Sequence, residues 1–136
     1  MLKIFYTSSE NNKNFGVSRV VDELKRNLSK EKINIKFSNN LNDFFTFKPN
    51  MVHIHGCWKL HLLVIFLFSK IKGIKTVISP HGMIDPFSFS QKKIKKNIAW
   101  YIYQKFILLY SDLIIVNSNQ EKKHLLIKLK KNNKVI

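Results

Sequence analysis

The sequence contains few cysteine, glycine, proline and acidic residues. Its 136 residues include a single cysteine, Cys57, which excludes an internal disulfide framework and fits a reducing compartment. The chain shows no internal repeat, no low-complexity tract and no linker. We therefore expect one domain over residues 1–136, with enough chain to bury a hydrophobic core.

Long hydrophobic runs are also missing. The longest apolar stretch, Leu60 to Phe68, is interrupted by His61 and falls well short of the ~20 residues that a membrane span needs. The N-terminus becomes polar too quickly for a secretory signal. We expect a cytoplasmic protein, with peripheral attachment to the inner face of the membrane left open.

Negative charge is scarce. There are 8 acidic residues against 24 Lys and Arg, a formal net charge of +16. All the basic residues except Arg19 and Arg26 are lysines, whereas proteins that recognise nucleic acid favour arginine. Nucleic acid is therefore not the expected partner. An anionic membrane surface or phosphate-bearing substrates fit better, and a merely solvated basic surface is the alternative.

Short apolar segments alternate with amphipathic ones along the chain. The expected strands are residues 2–7, 33–37, 51–55, 75–79 and 113–117, with a sixth opening at 134–136. The expected helices are residues 17–28, 58–72, 91–110 and one capped by Ser118 or Asn119 that continues to about Lys131, while residues 41–47 are ambiguous. This alternation predicts a Rossmann-like, doubly wound α/β fold, with a mostly parallel sheet and helices on both faces.

The segment from Val77 to Pro86 is a short apolar strand that runs directly into a polar turn containing His81. Ligands of parallel α/β sheets bind beyond the carboxyl ends of the strands, so this histidine is placed for chemistry. A neutral imidazole can hydrogen-bond a ligand, and its ordinary pKa of ~6.5 also permits protonation. The alternative is a turn histidine bonded to backbone.

Three further histidines lie near Cys57 in the sequence, at positions 53, 55 and 61. Strand alternation places His53 and His55 on the same face. A zinc site would still need converging ligands and a supporting second layer of hydrogen bonds, so we expect no metal site. No activating base is evident for Cys57, so it is not expected to act as a nucleophile.

The expected helix 91–110 has an unusual N-terminus. Lysines crowd its first turn, namely Lys92, Lys93, Lys95 and Lys96. Cations there oppose the helix dipole, so helix stability does not explain them. Beside Trp100 they predict a membrane-surface patch. The alternative is that the aromatic face with Trp100, Tyr103 and Ile107 packs on a neighbouring element, while Ile94, Ile98, Tyr101, Ile102 and Leu109 form a separate apolar face.

Several short motifs occur in an order that resembles a known enzyme family. They are Val52–Trp58, Ser79–Pro86, Ala99-Trp100 with Tyr103, and Ser111-Asp112 before the fifth strand with Asn117-Ser118 after it. Together they resemble the N-terminal domain of family 4 glycosyltransferases, which are two-domain GT-B enzymes. The resemblance implies transfer of a sugar from a nucleotide-sugar with retention of configuration, with no metal and no other cofactor.

The resemblance also implies roles for individual residues. His81 matches the family's active-site histidine, and Gly82 and Asp85 belong to the same substrate-binding loop. Gly16 is all that remains of a glycine pair that lets the donor diphosphate or the acceptor approach after the first strand. The other substrate-binding candidates, at the ends of the third and fifth strands, are His55, Gly56, Trp58 and Ser118.

One departure from the family pattern dominates. The family binds the nucleotide-sugar mainly through a C-terminal domain with a Glu-x7-Glu motif, which this sequence lacks. Glu23 and Glu31 have the spacing by coincidence, since they lie on and beyond the first expected helix. We expect the acceptor-side half of a retaining glycosyltransferase, inactive alone, that uses a polysaccharide, lipid-linked or other envelope acceptor and needs a C-terminal-domain partner. The alternative is a non-catalytic remnant or a binding subunit of a split enzyme.

Overall fold

The computed structural model describes residues 1–10, 16–28, 33–130 and 134–136. Its strands are β1 (Leu2–Ser8), β2 (Ile33–Phe37), β3 (Met51–His55), β4 (Lys75–Ser79) and β5 (Leu113–Ile114). All pair in parallel, in the order β2-β1-β3-β4-β5. The expected sixth strand is represented by a parallel bridge between Val135 and Ile114.

Helices connect the strands, as expected for an α/β fold. They are α1 (Gly16–Leu28), α2 (Leu41–Phe47), α3 (Leu60–Ile71), α4 (Pro86–Ser90), α5 (Lys93–Ala99), α6 (Lys105–Tyr110) and α7 (Asn119–Leu129), with a π-helical turn at Trp100–Gln104 between α5 and α6. The ambiguous segment 41–47 is helical because the Asn40 side chain caps it, accepting from the Asn42 N–H. Gly73, with φ of +66°, follows the end of α3 as expected.

The sheet is covered on both faces. The main core includes Phe5, Val52 and Ile54 together with Phe66 of α3 and Leu125 of α7. A smaller cluster forms around Ile4 and Tyr6, which alternate with Phe5 along β1, and it includes Leu24 of α1. This two-sided burial confirms the predicted Rossmann-like architecture.

Two elements differ from the sequence prediction. The helix expected over 91–110 begins at Lys93, because Gln91 is extended and Lys92 has left-handed backbone angles. It is preceded by the short helix α4, which was not predicted and which buries Phe89. Strand β5 has two residues rather than five, because its partner β4 ends before Pro80, which has no N–H to continue the ladder.

Candidate functional site

The predicted site residues of β3 and β4 meet at the carboxyl edge of the sheet. His55, the last residue of β3, pairs in register with Ser79, the last residue of β4, and with Ser8 of β1. The chain leaves β3 through Gly56 and leaves β4 through Pro80 and His81. Tertiary structure thus brings His55, Gly56 and His81 into one neighbourhood, where parallel α/β sheets bind their ligands.

His81 is held by hydrogen bonds at both ring nitrogens. Its Nε2 lies 2.9 Å from Nδ1 of His55, and its Nδ1 lies 3.1 Å from the amide nitrogen of Asn117. Donation by the Asn117 amide makes Nδ1 of His81 an acceptor, so the proton sits on Nε2 and is donated to His55. His55 must then carry its own proton on Nε2, which is buried and has no partner among the described residues.

Three imidazoles form a stack that leads to this pair. The ring centroids of His53 and His55 are 4.1 Å apart, and those of His55 and His81 are 5.2 Å apart. Nε2 of His53 lies 2.8 Å from the Ser79 hydroxyl. Burial, reinforced by the neighbouring imidazoles, lowers the pKa of His53 to about 4 and that of His55 to about 2. Both rings are therefore neutral at pH 7.

The pKa of His81 is also lowered by burial, but nearby carboxylates oppose the shift. Those carboxylates belong to Glu121 and Glu10. The balance keeps His81 mainly neutral near pH 7, and it leaves this ring easier to protonate than the two deeper histidines.

Neither metal ligation nor thiol chemistry is supported by the geometry. Among residues 1–10, 16–28, 33–130 and 134–136, no group of three or more His, Cys, Asp or Glu side chains is arranged to hold a metal ion. Cys57 is fully buried, and burial raises the pKa of its thiol, with the Glu121 charge acting in the same direction. The thiol therefore stays protonated and unreactive.

Trp58 stands beside the site in a strained conformation. Its φ is +72°, a left-handed value that is rare for a bulky residue. Its N–H donates to Oε1 of Gln104 at 2.9 Å, and its carbonyl accepts from the Tyr103 hydroxyl at 2.8 Å. Both partners belong to the π-helical turn, an irregularity often found at functional sites. The indole N–H of Trp58 is buried and has no partner in the described part of the chain.

The remaining candidates take different positions. Asp85 occupies the position before α4 without a side-chain capping bond, and its Oδ1 lies 3.2 Å from Nδ1 of His124. Ser118 caps α7, because its hydroxyl accepts from the Glu121 N–H, and it is exposed. Gly16 is the first residue of α1, while the loop before it, residues 11–15, lies outside the described residues.

Sequence reasoning missed Glu121. This carboxylate is 2% exposed and accepts the Gly82 N–H at 2.6 Å and the Asn117 N–H at 2.9 Å. A signal was present, since Ser118 and Glu121 have the spacing of a capping box at a helix start. That signal predicts a helix end, and it does not predict the bond to Gly82.

The membrane-surface candidates divide into two groups. Lys92, Lys93 and Lys95 are exposed. Lys96 instead donates to the Ser88 carbonyl and lies 5.6 Å above the Trp58 ring.

The assignment of Trp100 to the surface patch is wrong. It is 5% exposed and packs edge-on against Phe89. The opposite face of the helix is the open one. Its exposed apolar residues include Ile94, Ile98, Tyr101 and Ile102, which together with Phe87 of α4 are each between 56% and 79% exposed.

Comparisons with known proteins agree with this fold. A sequence model described as Glycosyltransferase Family 4 matches residues 32–135. The structure of MnaA from S. aureus with UDP is similar over 100% of this chain, with a TM-score of 0.64 and 15% identity, and the chain covers 43% of that protein's chain. At that identity the similarity is one of fold. No curated protein matches the sequence. No helix in the described segments is long and apolar enough to cross a membrane.

Proposed function

Because the chain belongs to glycosyltransferase family 4, we propose that it forms the acceptor-side wall of a retaining glycosyltransferase. The enzyme would transfer a sugar from a nucleotide-sugar to a polysaccharide, a lipid-linked glycan or another envelope acceptor, without a metal ion or other cofactor. The observation that carries the proposal is the position of His81, which lies at the carboxyl edge of the sheet with a neutral histidine on one side and an exposed amide on the other.

In this proposal His81 acts on the substrate through Nδ1. Its Nε2 is engaged with buried His55, whereas the partner of Nδ1 in the described part of the chain is the exposed amide of Asn117. A sugar hydroxyl can replace that amide and donate to Nδ1, because the neutral ring accepts a hydrogen bond there. The imidazole orients the sugar and performs no nucleophilic attack. Gly82 and Asp85 complete this side of the substrate loop.

Trp58 would contribute to the acceptor side of the same cleft, with Gly56 and Ser118 as further wall residues. A buried indole N–H without a partner costs free energy, and an acceptor hydroxyl would satisfy it. The strained backbone of Trp58 supports the idea, since strained residues persist where surrounding contacts hold them and are concentrated at active sites and ligand-binding sites. Gly16 would border the phosphate side at the start of α1.

The donor nucleotide would bind at a cleft shared with a second domain or a partner chain. The chain spans 43% of the length of the structural relative, which leaves a second half unaccounted for. We therefore expect little or no transfer from radiolabelled UDP-glucose or GDP-mannose to a membrane lipid extract by the purified 136 residues. Robust transfer by this chain alone would refute the proposed need for a second domain or a partner chain.

The role of His81 is tested in cells. Deleting the gene should change the glycan composition of the envelope, and wild-type protein should restore it. With the His81→Ala variant, the initial rate at which the envelope glycans are restored should be about 100-fold lower, because a displaced substrate loses its reacting geometry. Gln120→Leu, at an exposed helix position, serves as the matched control. Full restoration by His81→Ala at equal protein level would contradict the proposal.

The alternative is a non-catalytic remnant or a binding subunit. An adjacent reading frame that carries Glu-x7-Glu would support a split enzyme, and the absence of any such frame would support a remnant or a binding module. A binding subunit would retain its cellular effect when His81 is replaced, so the complementation experiment also separates these cases.

We further propose that the enzyme works at the cytoplasmic surface of a membrane. The exposed apolar face of Phe87, Ile94, Ile98, Tyr101 and Ile102 lies beside exposed lysines at positions 92, 93 and 95. Apolar side chains that insert at the lipid boundary, ringed by cations, suit an anionic bilayer.

Vesicle sedimentation tests this surface. The wild-type chain should bind phosphatidylcholine vesicles that contain ~30% phosphatidylglycerol, because this anionic lipid attracts lysines. High salt should release the chain from the vesicles. Ile98→Ser with Tyr101→Ser should weaken binding, whereas the control Ile71→Ser, at an exposed position on α3, should not. Equal binding to neutral vesicles, or no effect of the double variant, would refute the membrane role.

A further inference from the structure

The turn that carries His81 is strained and must be held in place. His81 has φ of +54° and Gly82 has φ of +73°, both in the left-handed region. For a residue with a Cβ atom this conformation costs roughly 1–2 kcal/mol. Such a conformation persists only where neighbouring groups over-determine it.

The geometry points to Glu121 as the positioning residue for His81. Its Oε1 accepts the Gly82 N–H at 2.6 Å, immediately after the histidine, and its Oε2 accepts the Asn117 N–H at 2.9 Å. The Asn117 side chain then reaches Nδ1 of His81. One buried carboxylate thus fixes both the backbone of the histidine turn and the residue that contacts its ring.

Helix capping alone does not account for this arrangement. In a capping box the carboxylate at the third helical position bonds the N–H of the cap residue, here Ser118. Glu121 bonds Asn117 instead, one residue earlier, and also Gly82, which is 39 residues away. Charge-assisted bonds of this kind are stronger than neutral ones, so the carboxylate can join the loop after β4 to the loop after β5.

The same carboxylate supplies charge to the ring. Among the described residues, the titratable groups that interact electrostatically with His81 include His53 and His55 from β3, Glu10 after β1 and Glu121 from α7. The histidines are neutral at pH 7, so the two carboxylates act as counter-charges if His81 takes up a proton. Glu121 differs from Glu10 because it also holds the turn.

This inference rests on the proposed role of His81, and it is tested by NMR on the purified chain. In Glu121→Gln, the pKa of His81 should fall, because a counter-charge is lost, and the Gly82 amide should exchange about tenfold faster, because a hydrogen bond is weakened. Glu10→Gln is the matched control. It should lower the pKa of His81 and leave the exchange of Gly82 unchanged.

Glu121→Asp covers the case in which Glu121→Gln fails to fold. The shorter side chain keeps the charge and cannot reach both N–H groups, so Gly82 should exchange faster while the pKa of His81 falls less than in Glu10→Gln. A wild-type pKa for His81 together with wild-type exchange at Gly82 in the folded variants would overturn the inference. Full restoration of the envelope glycans by His81→Ala would count against the proposed function and leave these NMR results standing.

Discussion

The backbone of Gly56 lies so close to Ser9 that a Cβ atom at position 56 would stand 2.0 Å from the Ser9 hydroxyl oxygen. The Ser9 N–H donates to the His55 carbonyl at 2.9 Å, which fixes this approach between the ends of β1 and β3. Gly56 also has φ of +86°. Both the space and the backbone angle therefore require glycine here.

Gly56→Ala should destabilise the chain more than Gly73→Ala. Both glycines have positive φ, so each alanine costs roughly 1–2 kcal/mol of backbone strain. Only Gly56 adds a steric clash, worth about 1–3 kcal/mol more, since no atom of the residues that the structure describes lies within 4 Å of a Cβ at Gly73. Urea unfolding measures both losses. Adding Ser9→Gly should recover part of the first, and equal losses for the two alanine variants would contradict the clash.

Asp112 ties the start of β5 to β4. Its Oδ2 accepts from the Lys70 ammonium at 2.7 Å and from both the N–H and the hydroxyl of Thr76 at 2.9 Å. Partial burial raises the pKa of Asp112, but the hydrogen bonds from Lys70 and Thr76 lower it by a larger amount. The pKa of Asp112 therefore lies below its ordinary value.

Asp112→Asn should therefore cost about 1–2 kcal/mol at pH 7, reduced from a buried ion pair because the carboxylate is partly exposed. A lowered folded pKa contributes stability above the unfolded value of ~3.9, and this contribution is lost as the pH falls toward the folded pKa. The difference between wild type and variant should shrink from pH 7 to pH 3 in urea titrations. Asp22→Asn, at an exposed position of α1, is the control, and a pH-independent difference would show that charge is not involved.

His53 should make the fold sensitive to acid. Its folded pKa of about 4 lies below the unfolded value of ~6.5, so only the unfolded state takes up the proton between these values. Stability should therefore fall as the pH drops from 6.5 to 4, by up to about 1.4 kcal/mol per pH unit for one histidine.

His53→Gln should flatten that slope, because glutamine does not titrate and can still reach the Ser79 hydroxyl. Urea unfolding at pH 7, 6, 5 and 4 measures the slope, and the NMR signal of the His53 ring reports its pKa directly. Between pH 7 and 8 the two proteins should show the same dependence. A His53 signal that titrates near 6.5 would refute the prediction.

The hydrogen bond from Trp58 to Gln104 should be needed for the strained tryptophan. Gln104→Leu leaves the Trp58 N–H without its acceptor, at a cost of about 1–3 kcal/mol. The Trp58 amide should then exchange faster in NMR measurements. Gln120→Leu, at an exposed position of α7, should change stability by less than about 0.5 kcal/mol. A similar small effect at position 104 would mean that the π-helical turn does not hold Trp58.

Local pattern was enough to predict the strands that carry the site. Val52 and Ile54 alternate with His53 and His55, and β3 occupies residues 51–55 as predicted. The two histidines share a face, as the alternation indicated, and the structure shows that their rings stack. Ser118 caps α7 because a side-chain cap depends on residues within one turn.

Longer-range packing produced the errors. The two apolar faces of the 93–110 helical segment could not be ranked from sequence, because either could have been buried. The packing of Phe89 determines which face is buried, since α4 brings this side chain against both Trp58 and Trp100. The short α4 and the π-helical turn form with these contacts, and neither has a periodicity of its own.

The sequence by itself determined the alternating α/β fold, the family and the position of His81 at a strand end, because these follow from patterns that extend over a few residues or along the whole chain. Only the tertiary structure decided which groups surround His81. The contacts of His55, Asn117 and Glu121 with the His81 turn span 26 to 39 residues, and they form only when parallel strands align their carboxyl ends. That alignment determines the protonation of the ring, whereas the packing of Phe89 on Trp100 determines which side of the helical segment faces outward.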